Sequence, residues 1–180
     1  MPWQTVGMRS IPDPGFAGDD GTVAPEVAAA MSAYAGDPDG LHHRTVAVLQ
    51  ESRLLVPVVA VLGEVEYDER GLAHDKTSDM ATVLMRGKDG RLALLAFTGD
   101  EPLRRWNPEA RPVPVTARQA AQAALQDDAA ALLVDVAGPA LLVIEGEDLR
   151  SLAEGFRLVE TAGGWAWARV SDPAPDEPGR

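Results

Sequence analysis

The chain contains no cysteine. That one absence removes disulfides, thiolate zinc sites, iron–sulfur clusters, cysteine nucleophiles and sulfur transfer through a persulfide. It suits a reducing compartment, and the expected setting is cytoplasmic. Histidine is scarce, three in 180 residues, which leaves little material for a metal centre or a serine–histidine–aspartate triad. No run approaches the roughly 18 apolar residues of a membrane span. The longest, residues 54–62, is strand-sized and holds Pro57. Residues 1–9 lack an apolar stretch of signal-peptide length. The expectation is a protein neither membrane-inserted nor exported by that route. Also missing are a G-x-S-x-G elbow, a Walker A run, a G-x-G-x-x-G after a strand and an H-E-x-x-H pair. No catalytic residue, metal or cofactor is assigned.

Basic charge is in short supply as well. Sixteen Lys and Arg face 28 Asp and Glu, a net charge of −12. Such a field repels phosphate backbones, so no nucleic-acid role is expected. Acidity on this scale keeps a protein soluble, and it also favours a basic protein partner.

What is present reads as one domain. An apolar fraction of 46% in 180 residues is enough to bury a core. Residues 1–21, rich in Pro, Gly and Asp, read as an extended arm, and residues 171–180, with three prolines among acids, as a disordered tail. Residues 22–170 form the domain between them. Val23, Val27, Ala30, Met31 and Tyr34 recur at helical spacing and Gly36 stops the helix. Asp37-Pro38 caps and opens a second helix, running to about Arg53. The two make an N-terminal helical hairpin.

The pattern then switches to strands. Pro57 cannot donate to a ladder, so its strand is expected at a sheet edge or with an irregular start. Residues 64–79 read as a loop. Residues 81–86 and 91–97 flank Gly87 to Gly90 as a β-hairpin, with Gly90 at positive φ. Residues 100–106 form a short helix, with Asp100 preferred as cap and Pro102 in the first turn. After a short strand at 113–115, Thr116-x-x-Gln119 is a capping box opening an alanine-rich helix to about Gln126. A hairpin at 131–145, a helix at 148–156 and a hairpin at 157–170 complete the chain. The fold class is α+β: a mixed, mostly antiparallel sheet built from hairpins, with helices packed on it.

The order Leu55-Val-Pro-Val-Val59, Asp75-Lys-Thr-Ser-Asp-Met80, Ala96-Phe97-Thr98 and Pro102-Leu-Arg-Arg-Trp106 resembles SseB-family proteins of actinobacterial type. Arg111-Pro-Val-Pro-Val115 and Leu132-Leu-Val-Asp-Val-Ala-Gly-Pro139 extend the likeness, which covers about residues 53–153. The resemblance implies an α/β domain with no established chemistry, so no functional residues are carried over from it. The helical hairpin and the last β-hairpin lie outside those residues.

Two surfaces stand out. Arg104, Arg105 and Trp106 share the short helix, and Arg and Trp are favoured at binding hot spots. The alternative is that Leu103 and Trp106 anchor the helix while both arginines face water. Trp165 and Trp167 alternate onto one face of the last hairpin, which is either an exposed aromatic patch or part of the core. The expected function is a non-enzymatic module that uses these residues to bind a protein partner or its own twin. The competing expectation is a small-molecule binder or enzyme connected to amino-acid metabolism. It would use the loop Asp75, Lys76, Ser78 and Asp79, whose short polar side chains otherwise cap backbone groups. His42 and His43 point in different directions on a helix and read as surface or interface residues. His74 with Asp75 and Asp79 has no recognised ligand spacing.

Overall fold

A computed structural model describes residues 16, 18–61, 66–67, 73–74 and 79–169. The elements run α1 (Pro25–Gly36), α2 (Pro38–Leu49), β1 (Arg53–Val61), β2 (Glu66–Tyr67), β3 (Ala73–His74), β4 (Asp79–Thr82), β5 (Leu84–Arg86), β6 (Leu92–Ala96), α3 (Asp100–Trp106), β7 (Arg111–Thr116), α4 (Ala117–Gln126), β8 (Ala131–Val134), β9 (Leu142–Glu145), α5 (Gly146–Glu154), β10 (Phe156–Thr161) and β11 (Gly164–Arg169). This is the α+β class that hairpin-rich, mixed patterning implies. The two helices at the N-terminal end pair with each other, as the sequence pattern predicts.

A sheet β4-β1-β7 and a sheet β5-β6-β8-β9 make up the centre. Pairing is antiparallel except between β6 and β8, which run parallel because α3, β7 and α4 cross over between them. The two sheets share a strand. Residues 79–82 pair with β1, one residue, Val83, intervenes, and residues 84–86 pair with β6. Beyond that point β6 itself meets β1, through a bridge in which Leu55 and Phe97 exchange both backbone bonds at 2.8 Å.

This arrangement corrects the expectation for Pro57. Its strand is central, not an edge. Backbone donors alternate sides along a strand. Leu55 donates toward β6, so the nitrogen of Pro57 faces the same side, between the last β1–β4 pair, Val58 with Thr82, and the Leu55–Phe97 bridge. A proline sits where one neighbour leaves and the next begins. Opposite it on the other side lies Pro112 of the outer strand β7.

The helices divide unequally between the faces. On one side Leu94, Leu132, Val134, Leu142 and Ile144, all fully buried, pack with Leu54 and Val56 and are covered by α4, α5 and the α1–α2 pair. The capping box opens α4 as the sequence predicts: Thr116 accepts from the Gln119 amide at 3.1 Å, and the Gln119 side chain accepts from the Thr116 amide at 2.9 Å. Ala117, Ala120, Ala121 and Ala124 form its fully buried face. Their small side chains let the helix backbone approach the sheet closely. The other side carries a smaller core of Leu55, Leu95, Phe97, Leu103 and Ala110, covered among the described residues by α3.

Three local expectations change. The second helix ends at Leu49, not near Arg53: the i→i−4 bonds give way to i→i−3 bonds from the Glu51 amide to the Val48 carbonyl at 3.3 Å and from the Ser52 amide to the Leu49 carbonyl at 3.0 Å. The Gln50 side chain bonds both backbone groups of Leu158 in β10, at 2.8 and 2.9 Å. The stretch read as a loop contains a short antiparallel ladder, β2 with β3. Asp100 is the first residue of α3 and not its cap; the cap position belongs to Gly99, and the Asp100 carboxylate bonds Arg104. Gly90 does adopt positive φ in the β5–β6 turn.

Candidate functional site

The polar centre of the molecule is the point from which α3 departs. Here Thr98 follows the end of β6 by two residues, Asp135 follows the last residue of the parallel strand β8, β1 begins at Arg53, and residues 19–23 pass over. Asp135 is 4% exposed and takes a left-handed backbone, φ 58°, which Asp tolerates better than most residues. Its Oδ1 accepts the Thr98 amide at 2.8 Å and its Oδ2 accepts the Thr98 hydroxyl at 2.7 Å. Burial pushes the Asp135 carboxyl above the ordinary carboxylate range, although the Thr98 bonds and the charge of Arg105 oppose the rise.

Arg53 holds Thr98 from the other side. Its Nη1 donates to the Thr98 carbonyl, its Nη2 to the Thr22 carbonyl at 2.9 Å, and its Nε and Nη2 grip Asp19. The Arg53 and Asp19 side chains are only 11% and 15% exposed. Gly99 permits the arm's approach: a Cβ there would lie 2.5 Å from Val23 Cγ2 and 2.9 Å from the Gly21 carbonyl, which accepts the Asp100 amide at 2.8 Å.

The Arg53 bond holds the Asp19 carboxyl below the ordinary range, against a weaker opposing effect of burial. A carboxyl depressed in the folded state stabilises above its unfolded value, about 3.9, and loses that contribution as pH falls through the folded value. The clasp on the arm is therefore intact at neutral pH and opens in acid. Limited proteolysis should cut the arm faster below about pH 4, and Asp19→Asn should show the fast cutting already at pH 7. Equal cutting rates for both chains at pH 7 would remove the clasp.

α3 presents the first surface singled out by the sequence. Leu103 is buried, and Trp106 packs half-buried on Phe97, ring centroids 5.6 Å apart. Arg104 pairs with Asp100 at 3.0 Å and Arg105 with Glu101, both across one helical turn, and their side chains are 69% and 51% exposed. Among the described residues no element covers the sheet face beside α3. Met85, Ala93, Leu133 and Val143 floor a depression of about 400 Å³, rimmed by Lys88, Asp89, Arg91 and Glu145. Met85 and Leu133 also touch the small core under α3, the core on which Trp106 packs. A second apolar groove, about 440 Å³, lies between α1 and α2, over Ala29, Ala33, Leu41 and Val48.

Trp165 and Trp167 are half-buried against the main core. The Trp167 indole donates to Asp148 Oδ1 at 2.9 Å. The other oxygen, Oδ2, lies 3.2 Å from His42 Nε2 and 3.7 Å from His43 Nε2. The two rings, expected to point apart, meet edge to face with centroids 5.3 Å apart, and one carboxylate reaches both and ties α2, α5 and β11 together. Among the described residues no group of His, Asp or Glu is arranged to hold a metal ion. Asp75, Lys76 and Ser78 lie outside the described residues, as do the side chains of His74 and Asp79, although Asp79 opens β4.

Sequence reasoning missed the Asp135–Thr98 and Asp19–Arg53 contacts, which join residues 37 and 34 positions apart. The available signal was a lone acid, Asp135, closing an apolar strand, and a lone Arg opening one.

The class defined by this geometry is a small α+β domain with a parallel strand pair at its centre and a single helix half-covering one sheet face. The model of the SseB protein N-terminal domain matches residues 27–151, more than half of the chain, and the chain belongs to that family. The match takes in α2 and most of α1, further than the motifs carrying the resemblance reach, and stops short of β10 and β11. No curated protein and no solved structure matches the chain.

Proposed function

We propose that the chain is a non-enzymatic, cytoplasmic interaction module that binds a protein through α3 and the open sheet face beside it. The observation carrying this reading is the apolar depression floored by Met85, Ala93, Leu133 and Val143, whose Met85 and Leu133 pack on the same small core as Trp106 of the helix that bears exposed Arg104 and Arg105. A central apolar patch with an aromatic anchor and a charged rim is what a protein interface requires. The polar side chains inside the domain serve its backbone: among the described residues no buried side-chain nitrogen or oxygen lacks a partner. The Cys-free composition and the absence, among the described residues, of a helix long and apolar enough to cross a membrane are compatible with the cytoplasmic setting.

Light scattering on the purified chain reads self-association, and quantitative capture from the native host reads a separate partner. Val143→Lys and the double reversal Arg104→Glu, Arg105→Glu should each weaken the complex about tenfold or more, while circular dichroism stays unchanged. Full binding by both variants would overturn the proposal.

A further inference from the structure

We propose that the charge on Asp135 sets the seating of α3: a proton taken up at Oδ2 reverses the bond to the Thr98 hydroxyl, leaves the hydrogen of that buried hydroxyl without its acceptor beside the cap of α3, and loosens the first turn of the helix. The inference concerns the helix on which the partner-binding reading rests, but its test contains no partner, so either can fail alone.

The geometry fixes what a proton must do. While ionised, Asp135 only accepts, and Thr98 supplies both donors, its amide to Oδ1 and its hydroxyl to Oδ2. Once Oδ2 carries a proton it becomes a donor. Thr98 Oγ1 must then accept, and its own hydrogen swings off the line between them. The amide bond to Oδ1 remains. Thr98 immediately precedes the cap of α3 and is 4% exposed, so the reversal takes place in a site with little room to absorb it.

The charged surroundings are few. From α3 comes Arg105, whose Nη1 lies 3.4 Å from the Ala137 carbonyl and whose Nη2 is shared with Glu101. Arg104 and Asp100 of the same helix pair with each other. From β1 and the arm come Arg53 and Asp19, which hold Thr98 from its carbonyl side. Residues 136–140, which follow β8, carry no charge. Neutral Asp135 leaves Arg105, in the last turn, with its bonds to Glu101 and the Ala137 carbonyl, so the proton reaches α3 through Thr98.

Burial favours the uncharged acid here. A carboxyl raised in the folded state adds stability that is complete below its unfolded value and is lost as pH rises through the folded value. The same proton therefore stabilises the domain as a whole while releasing α3, a combination that a simple acid-unfolding transition does not produce.

The test is heteronuclear NMR on the whole chain between about pH 8 and pH 4. The Asp135 side-chain carbonyl should titrate above the exposed aspartates. The Thr98, Leu103 and Trp106 amides should shift with the same midpoint, and the exchange protection of α3 should fall several-fold across it. Asp135→Asn donates from its amide as the protonated acid does, and should show low α3 protection at every pH. Arg105→Gln, a surface change, should move the Asp135 midpoint upward and serves even if the Asn variant folds poorly. Amides of α3 that stay flat while Asp135 titrates would overturn the proposal, and so would α3 amides that fail to follow the Asp135 midpoint in Arg105→Gln.

Discussion

Asp135→Ala is expected to cost about 2–5 kcal/mol of folding stability, while Asp135→Asn changes it by no more than about 1 kcal/mol. The difference lies in Thr98. Alanine strands its buried amide and hydroxyl, and each orphaned donor costs about 1–3 kcal/mol. Asparagine keeps both bonds with Oδ1 accepting and Nδ2 donating, removes a buried charge, and tolerates the left-handed backbone at this position as Asp does. Urea unfolding at pH 7, followed by circular dichroism and by tryptophan emission, reads both values. Equal losses for the two variants would mean that the charge, and not the pair of hydrogen bonds, holds the end of β8.

The second large effect lies directly beneath α3. Phe97 is fully buried, and its ring supports both Leu103 and Trp106 in a core of only five buried residues. Phe97→Ala should cost about 3–5 kcal/mol, since so small a cluster cannot close over the lost ring from one side. The Leu55 bridge uses only backbone atoms and survives the change. Trp106 should become more exposed, with a red-shifted emission. Arg104→Ala, one turn away on the same helix, breaks only an exposed i,i+4 pair and should fall within about 0.5 kcal/mol of the parent. A Phe97→Ala chain as stable as Arg104→Ala would show that α3 is held by something other than this core.

Much of the architecture was written locally. Thr116 and Gln119 cap α4 because both partners lie within one turn, and the turn at Gly90 follows from a short glycine-bounded loop between apolar strands. Two apolar runs on either side of Gly138-Pro139 were enough to place the hairpin of β8 and β9. Legibility stopped where a contact spans the chain. That His42 and His43 meet Asp148, more than 100 residues away, follows from α2 lying beside α5, and no spacing rule near residue 42 encodes that. The same holds for the clamp on Thr98, whose two jaws come from Arg53 and Asp135. Pro57 was misjudged for a different reason. A missing donor excludes a strand from the sheet centre only when both neighbours run its full length, and here one of them stops at Thr82. For Trp165 and Trp167 the alternation was readable, but whether a core lay beneath them depended on the docking of β10 and β11.

Pro57 has a further role as a stop in the zipping of strands. With no amide to offer, it ends the run of rungs that residues 79–82 make along β1 and leaves Val83 to turn the chain onto β6. The corner between the two sheets is thus written into covalent chemistry. Any amide-bearing residue at position 57 would give the ladder one more rung to grow along, and with it a way to draw the strand that carries Met85 off the surface where a partner would sit.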